Sequence, residues 1–279
     1  MYSRHACWEY NNIIMEKLSR KIQLIKGISN YFSAGQVYTN KTMFKYMNLE
    51  TALLCLEHGN IRFAEPDTWR DSFESRFYTA DYQNIKHCPS SDTPKLYACC
   101  FTYKKVSEAA WSVYNADQKG LGARCVQFVI KVDAFRKELR NALNSKDCVY
   151  EGRIDYSLGD SIITHLHTTK SKYHDEIHKS FGLNLYLSLM LLKRCSFSHE
   201  EELRIFIKRD GDSIKSKSVY DVPIIWANVI DKIYLAEDFS AMEVKIFEDI
   251  CKTKGINTNM ISKQSIYGKT LDKQITFSK

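Results

Sequence analysis

"SFSHEEELRIFI", residues 196–207, sets three consecutive glutamates directly in front of an alternating run. Leu203, Ile205 and Ile207 alternate with Glu202, Arg204 and Phe206, the period of a β-strand with two different faces. Carried backwards, the same alternation puts Glu200 beside Glu202 and turns Glu201 to the opposite face. Two carboxylates at that spacing repel each other, so the arrangement needs a reason. One reading is a solvated sheet edge blunted with charge. The other is a site in which one acid stabilises developing positive charge while its neighbour orients a hydroxyl or accepts a proton. Arg204, on the same face, would then keep one of the acids ionised.

The rest of the chain narrows the class. Its 279 residues can make one large or two small domains with a real core. Low Pro and Gly content, 4 and 11 residues, argues against a loop-dominated or low-complexity chain. A formal charge of +7 permits an anionic partner without demanding one. The nine cysteines include no CxxC pair and several lie in apolar runs, which predicts reduced thiols in a cytoplasmic protein. The first residues lack an uninterrupted apolar stretch, so neither a signal peptide nor a membrane span is expected.

Periodicity predicts a helix over residues 8–28, and with it a helical extension over 1–40 followed by a single domain over 41–279. "TMFKYM" (42–47) reads as a strand and "NLETALLCLEHGN" as a helix with Asn48 as N-cap and Gly59 at its end. "IRFAEP" is a strand, followed by an irregular "DTWRDSFESRFY". The apolar runs 96–103 and 124–132 read as central strands, with a short helix around Trp111 between them. "EGRIDYS" reads as a strand, residues 159–195 as one or two helices, and "EELRIFIKR" and "IDKIYLAED" as strands. Ser240 and Glu243 form a capping box for a helix stopped by Gly255, and a last strand follows. Strands and helices mix without strict alternation. The expected class is therefore α+β, with mixed, mostly antiparallel sheets and flanking helices.

Three further clusters carry possible chemistry. His174 and His178 lie one helical turn apart, but Asp175 stands where a zinc protease needs its glutamate base, and the surroundings are polar; no metal is expected. Trp111 and Tyr114 share a face of the short helix ahead of Lys119-Gly120, either as a platform for a nicotinamide or base or as a core anchor before a glycine turn. Lys45 and Tyr46 end a strand just before a helix N-terminus, a place suited to an anion. Trp69, Arg70 and Asp71 add a polar cluster in the irregular segment.

In order, these blocks resemble the bacterial family known as domain of unknown function 2971. The resemblance rests on "FKYMNLETALLCLEHGNIRFAEPDTWRDSFES", "CCFTY", Trp111-x-x-Tyr114 with Lys119-Gly120, and Phe197, Glu200, Glu202 and Arg204. It spans roughly residues 43–275. Arg70, Ser72 and Phe197 depart from the family's asparagine, proline and tryptophan. Glu-x-Glu heading a strand, after an earlier strand with a basic residue and a helix, is also similar to the ADP-ribosyltransferase layout. That likeness implies an NAD-consuming enzyme with Glu202 catalytic and Glu200 its helper. It implies Lys45, Tyr46, Trp111, Tyr114 and Arg204 as cofactor-binding residues, NAD as the substrate, and a protein or nucleic-acid acceptor. A toxin-like or phage-defence role follows from the same likeness, with an antitoxin or other partner on the N-terminal helix. A wet edge needs charge in no particular order, so an ordered Glu-x-Glu-x-Arg on one face favours the site. The rival expectations are a nucleotide- or nucleic-acid-binding module without chemistry and a metal-dependent nuclease.

Overall fold

The computed structural model describes residues 22–25, 28–34, 38–69, 95–105, 107–115, 124–157, 187–188, 190–209 and 218–264. Its strands and helices run β1 (Ile22–Leu24), β2 (Tyr31–Ala34), β3 (Thr42–Asn48), α1 (Leu49–His58), β4 (Asn60–Ala64) and β5 (Lys95–Thr102). They continue with α2 (Glu108–Asn115), β6 (Cys125–Lys131), α3 (Val132–Ala142), β7 (Cys148–Arg153) and β8 (Glu202–Arg209). The chain closes through β9 (Val219–Pro223), α4 (Trp226–Val229), β10 (Ile230–Ala236), α5 (Ala241–Thr253) and β11 (Ile261–Gln264). The class is α+β, and most of the strand pairs are antiparallel. Contacts divide the chain into two compact units, each drawn from three segments.

The first unit takes residues 1–39, 62–100 and 139–222. In its sheet β1 pairs antiparallel with β2, β2 parallel with β7, and β7 antiparallel with β8, with Gly152 opposite Arg204. β8 then lies between β7 and β5, so it is interior and not an edge. The expectation of a helix through residue 28 is corrected here: Ile22–Leu24 is extended and hydrogen-bonds along Phe32–Ala34. Sheet pairing overrides a helical spacing that three residues cannot sustain alone. Residues 8–21 lie outside the described residues. Leu203, Ile205, Phe206 and Ile207 are buried on both faces of β8, together with Tyr31, Val149 and Leu191.

Gly152 has a packing role. A Cβ built there would stand 2.3 Å from Leu191 Cδ1 and 3.0 Å from Cδ2. Leu191 is itself fully buried. Gly152→Ala is therefore expected to destabilise the protein by about 1–3 kcal/mol through overpacking. Chemical denaturation checks it, and a wild-type midpoint would contradict the close approach.

The second unit takes residues 40–61, 101–138 and 223–279. β6 is its centre, paired antiparallel with β3 on one side and β10 on the other; β11 joins β10 in parallel. α1 forms where expected: the Asn48 side chain accepts the Thr51 N–H at 2.8 Å, and Gly59 ends it at a φ of 60°. α5 has the expected capping box between Ser240 and Glu243. The Trp226 indole donates to the Cys55 carbonyl at 2.8 Å and meets Phe128 edge-on, which ties α4 to α1 and β6. Seven cysteines are among the described residues as thiols, four of them buried, as expected of small core residues. Among the described residues no helix is long and apolar enough to cross a membrane.

Candidate functional site

Residues 196–207 are built differently from a simple strand. Residues 195–200 form a 3₁₀ helix, Glu201 is left-handed with a φ of 44°, and the strand begins at Glu202. The strand alternation therefore does not extend back to Glu200, a correction to the sequence reading. The Glu201 N–H bonds to the Ser198 carbonyl at 3.3 Å and closes the turn. A non-glycine residue in that region carries a conformational cost of about 1 kcal/mol or more, which the surrounding contacts must sustain.

The two acids nevertheless converge, through a lysine. Lys193 Nζ lies 2.6 Å from Glu200 Oε2 and 3.0 Å from Glu202 Oε2. Arg204 Nε donates to Glu202 Oε1 at 2.6 Å and Nη2 to Oε2 at 3.1 Å, a bidentate fork. Arg204 Nη1 donates to the Met190 carbonyl at 2.8 Å, and its guanidinium lies 4.4 Å from the centre of the Trp69 ring. The Cys100 thiol contributes least of the groups that lower the Glu202 carboxyl. Two carboxylates and two cations thus balance.

Burial grades the four. Arg204 and Glu202 are 1% and 6% exposed, Lys193 11% and Glu200 36%. Burial alone would raise the Glu202 carboxyl, but the Arg204 guanidinium with its hydrogen bonds, and the Lys193 ammonium, outweigh it and bring the group down to about 2. The Glu202 N–H donates to the Tyr156 hydroxyl oxygen at 3.0 Å, and burial pushes that phenol up. On the outer side, Lys193 and Arg194 lie 5.0 and 4.9 Å from the Phe197 ring centre. An interior strand and enclosed charges rule out the solvated edge.

Lys193 owes its place to a bridge outside the helix expected over 159–195. Residues 187–188 are helical, but Leu192 forms a parallel bridge with Asp155. The Asp155 N–H donates to the Leu191 carbonyl at 2.8 Å, and the Lys193 N–H to the Asp155 carbonyl at 3.2 Å. Sequence reasoning missed Lys193, Tyr156 and Cys100. The basic pair Lys193-Arg194, just after an apolar run and just before the acids, was the available signal. Trp69 stood in the polar cluster picked out from the sequence.

The other expected site residues lie in the second unit. Lys45 Nζ sits 5.4 Å from the Phe101 ring centre. The Tyr46 hydroxyl accepts from the Ser107 N–H at 3.2 Å and donates to the Lys105 carbonyl at 3.0 Å, and burial raises its pKa. Trp111 is fully buried and meets Tyr46 edge-on at 5.5 Å, the geometry of a core anchor for α2. Tyr114 lies in α2, and nothing beyond its backbone is described. Arg70, Asp71, Lys119, Gly120, His174 and His178 lie outside the described residues. Among the described residues, no group of three His, Cys, Asp or Glu side chains is arranged to hold a metal ion.

No protein-family model matches the chain, and no curated protein matches it. No family is thereby assigned. Among solved structures the chain is similar to DarT of Thermus sp. 2.9 in complex with ADP-ribosylated ssDNA, at 12% identity and a TM-score of 0.34. The match covers 81% of this chain and 99% of that one. A TM-score that low carries no functional argument, and the site stands on its own residues.

Proposed function

We propose that the chain is an NAD-dependent ADP-ribosyltransferase whose chemistry centres on the carboxylate pair Glu200 and Glu202. The observation that carries this reading is the array Glu200–Lys193–Glu202–Arg204 at the start of an interior strand. Its order agrees with the Glu-x-Glu strand start of the ADP-ribosyltransferase layout that the sequence resembles. The reaction breaks the bond between the ribose C1′ and the nicotinamide nitrogen of NAD. The bond electrons leave with nicotinamide and a positive centre develops on the ribosyl group. A carboxylate fixed in a partly enclosed site stabilises that centre more than it stabilises the ground state.

The acceptor in this reading is a protein or a nucleic acid, the second consistent with the net charge of +7. A toxin-like or phage-defence role would suit a small enzyme of this kind. Lys45 enters as a contact to the NAD phosphates or ribose through the resemblance alone. Tyr46, Trp111 and Tyr114 enter as NAD contacts through the resemblance alone.

The direct test is incubation of the purified chain with adenylate-labelled NAD and a cell lysate, followed by separation of protein from RNA and DNA. Label in one fraction, with release of nicotinamide, is the expected result. Absence of both label transfer and nicotinamide release would remove the proposal. Tight NAD binding without turnover would favour the binding module, and chelator-sensitive cleavage of nucleic acid the nuclease.

A further inference from the structure

We infer that the two acids divide the work: Glu200 faces the ribosyl centre, and Glu202 is the buried anion that holds Lys193 and Arg204 in place. This rests on the NAD-consuming reading above and reverses the roles that the resemblance implies. An ionised carboxylate offers about four lone-pair positions. Glu202 already receives Arg204 Nε and Nη2 and Lys193 Nζ. With three donors on its carboxylate and only 6% of its side chain exposed, it is turned towards the protein and not towards a substrate atom.

Glu200 has a different situation. It ends a 3₁₀ turn ahead of the left-handed Glu201, and 36% of its side chain reaches solvent. Lys193 fixes the position of its Oε2 at 2.6 Å without enclosing the side chain. Lys193 in turn is held by Glu202, so the buried acid acts on the substrate through the lysine and the exposed one acts directly. Glu202, Arg204 and Lys193 are positioning residues in this scheme, and Glu200 is the catalytic one.

The step balances as follows. The C1′–N bond breaks and its electron pair goes to the nicotinamide nitrogen, which becomes neutral. A lone pair on an acceptor oxygen or nitrogen forms the new C1′ bond from the opposite face, and the acceptor's proton passes to Glu200 or to water. NAD and acceptor are thus converted to ADP-ribosylated acceptor, nicotinamide and a proton, with no oxidant or reductant.

The test measures nicotinamide release from NAD and the urea denaturation midpoint for the full chain, Glu200→Gln and Glu202→Gln. The expected result for Glu200→Gln is a loss of at least about 10²-fold in release at an unchanged midpoint. Glu202→Gln is expected to lower the midpoint strongly, since it strips charge compensation from the buried Arg204 and the largely enclosed Lys193. A Glu200→Gln protein that releases nicotinamide at the wild-type rate overturns the inference. So does Glu202→Gln with a wild-type midpoint, whatever its activity. If the unaltered chain releases no nicotinamide, the NAD reading falls by itself, while the two midpoints still decide whether Glu202 is the structural acid.

Discussion

Replacing Arg204 with methionine is expected to destabilise the protein by about 3–5 kcal/mol, the cost of removing one partner from a buried ion pair. Arg204 is 1% exposed and supplies two of the hydrogen bonds to Glu202. Its loss leaves that carboxylate with Lys193 and the Cys100 thiol. It also leaves the Met190 carbonyl without the Nη1 donor and removes the cation beside Trp69. Methionine fills much of the volume, so the effect isolates charge from packing. Arg204→Lys should recover only part of it, because an ammonium cannot reproduce the two-pronged fork. Urea denaturation of the three proteins checks the order wild type, Lys, Met. A methionine variant as stable as wild type would mean that the guanidinium and carboxylate are not enclosed together.

The second large effect is acid sensitivity traceable to one residue. The Glu202 carboxyl is held at about 2 in the folded protein against an ordinary value of 4.5. A group whose folded pKa is depressed contributes stability above its unfolded pKa and loses it as pH falls through the folded one. Here the full contribution, roughly 3 kcal/mol at about 1.4 kcal/mol per pH unit, is present above pH 4.5 and disappears progressively towards pH 2. The Glu243 carboxyl is lowered as well, by hydrogen bonds from Ser240. The informative quantity is therefore a difference. Between pH 5 and pH 2 the stability of Glu202→Gln should fall less steeply than that of wild type. Parallel curves for the two proteins would show that Glu202 titrates alike folded and unfolded.

Much of the fold was legible where local rules decide. β3, β5, β6, β8 and β10 stand where apolar runs or alternation put them, and the caps at Asn48 and Ser240 form as their side chains require. α3 was passed over, although Val132, Phe135 and Leu139 have the spacing of a buried helical face and Asp133 stands in its first turn. β2 and β9 are short, and their identity depends on the strands that receive them. Of the site, Glu200, Glu202 and Arg204 were found together but on a mistaken backbone: alternation predicted one face of a strand, whereas a 3₁₀ turn and a left-handed Glu201 intervene. Three adjacent charges carry no local signal for such a turn.

Taken alone, the sequence determined the α+β class, the main strands, the helix caps and the order Glu-x-Glu-x-Arg, because each depends on side chains a few residues apart. Only the tertiary structure decided that β8 is an interior strand, that Glu202 is enclosed while Glu200 is not, and that Lys193, Cys100, Tyr156 and Trp69 gather around them. The physical reason is that burying a carboxylate depends on which distant segments bring cations and donors to it. Those partners come from positions 69, 100, 156 and 193, which share no local pattern with residues 200–204.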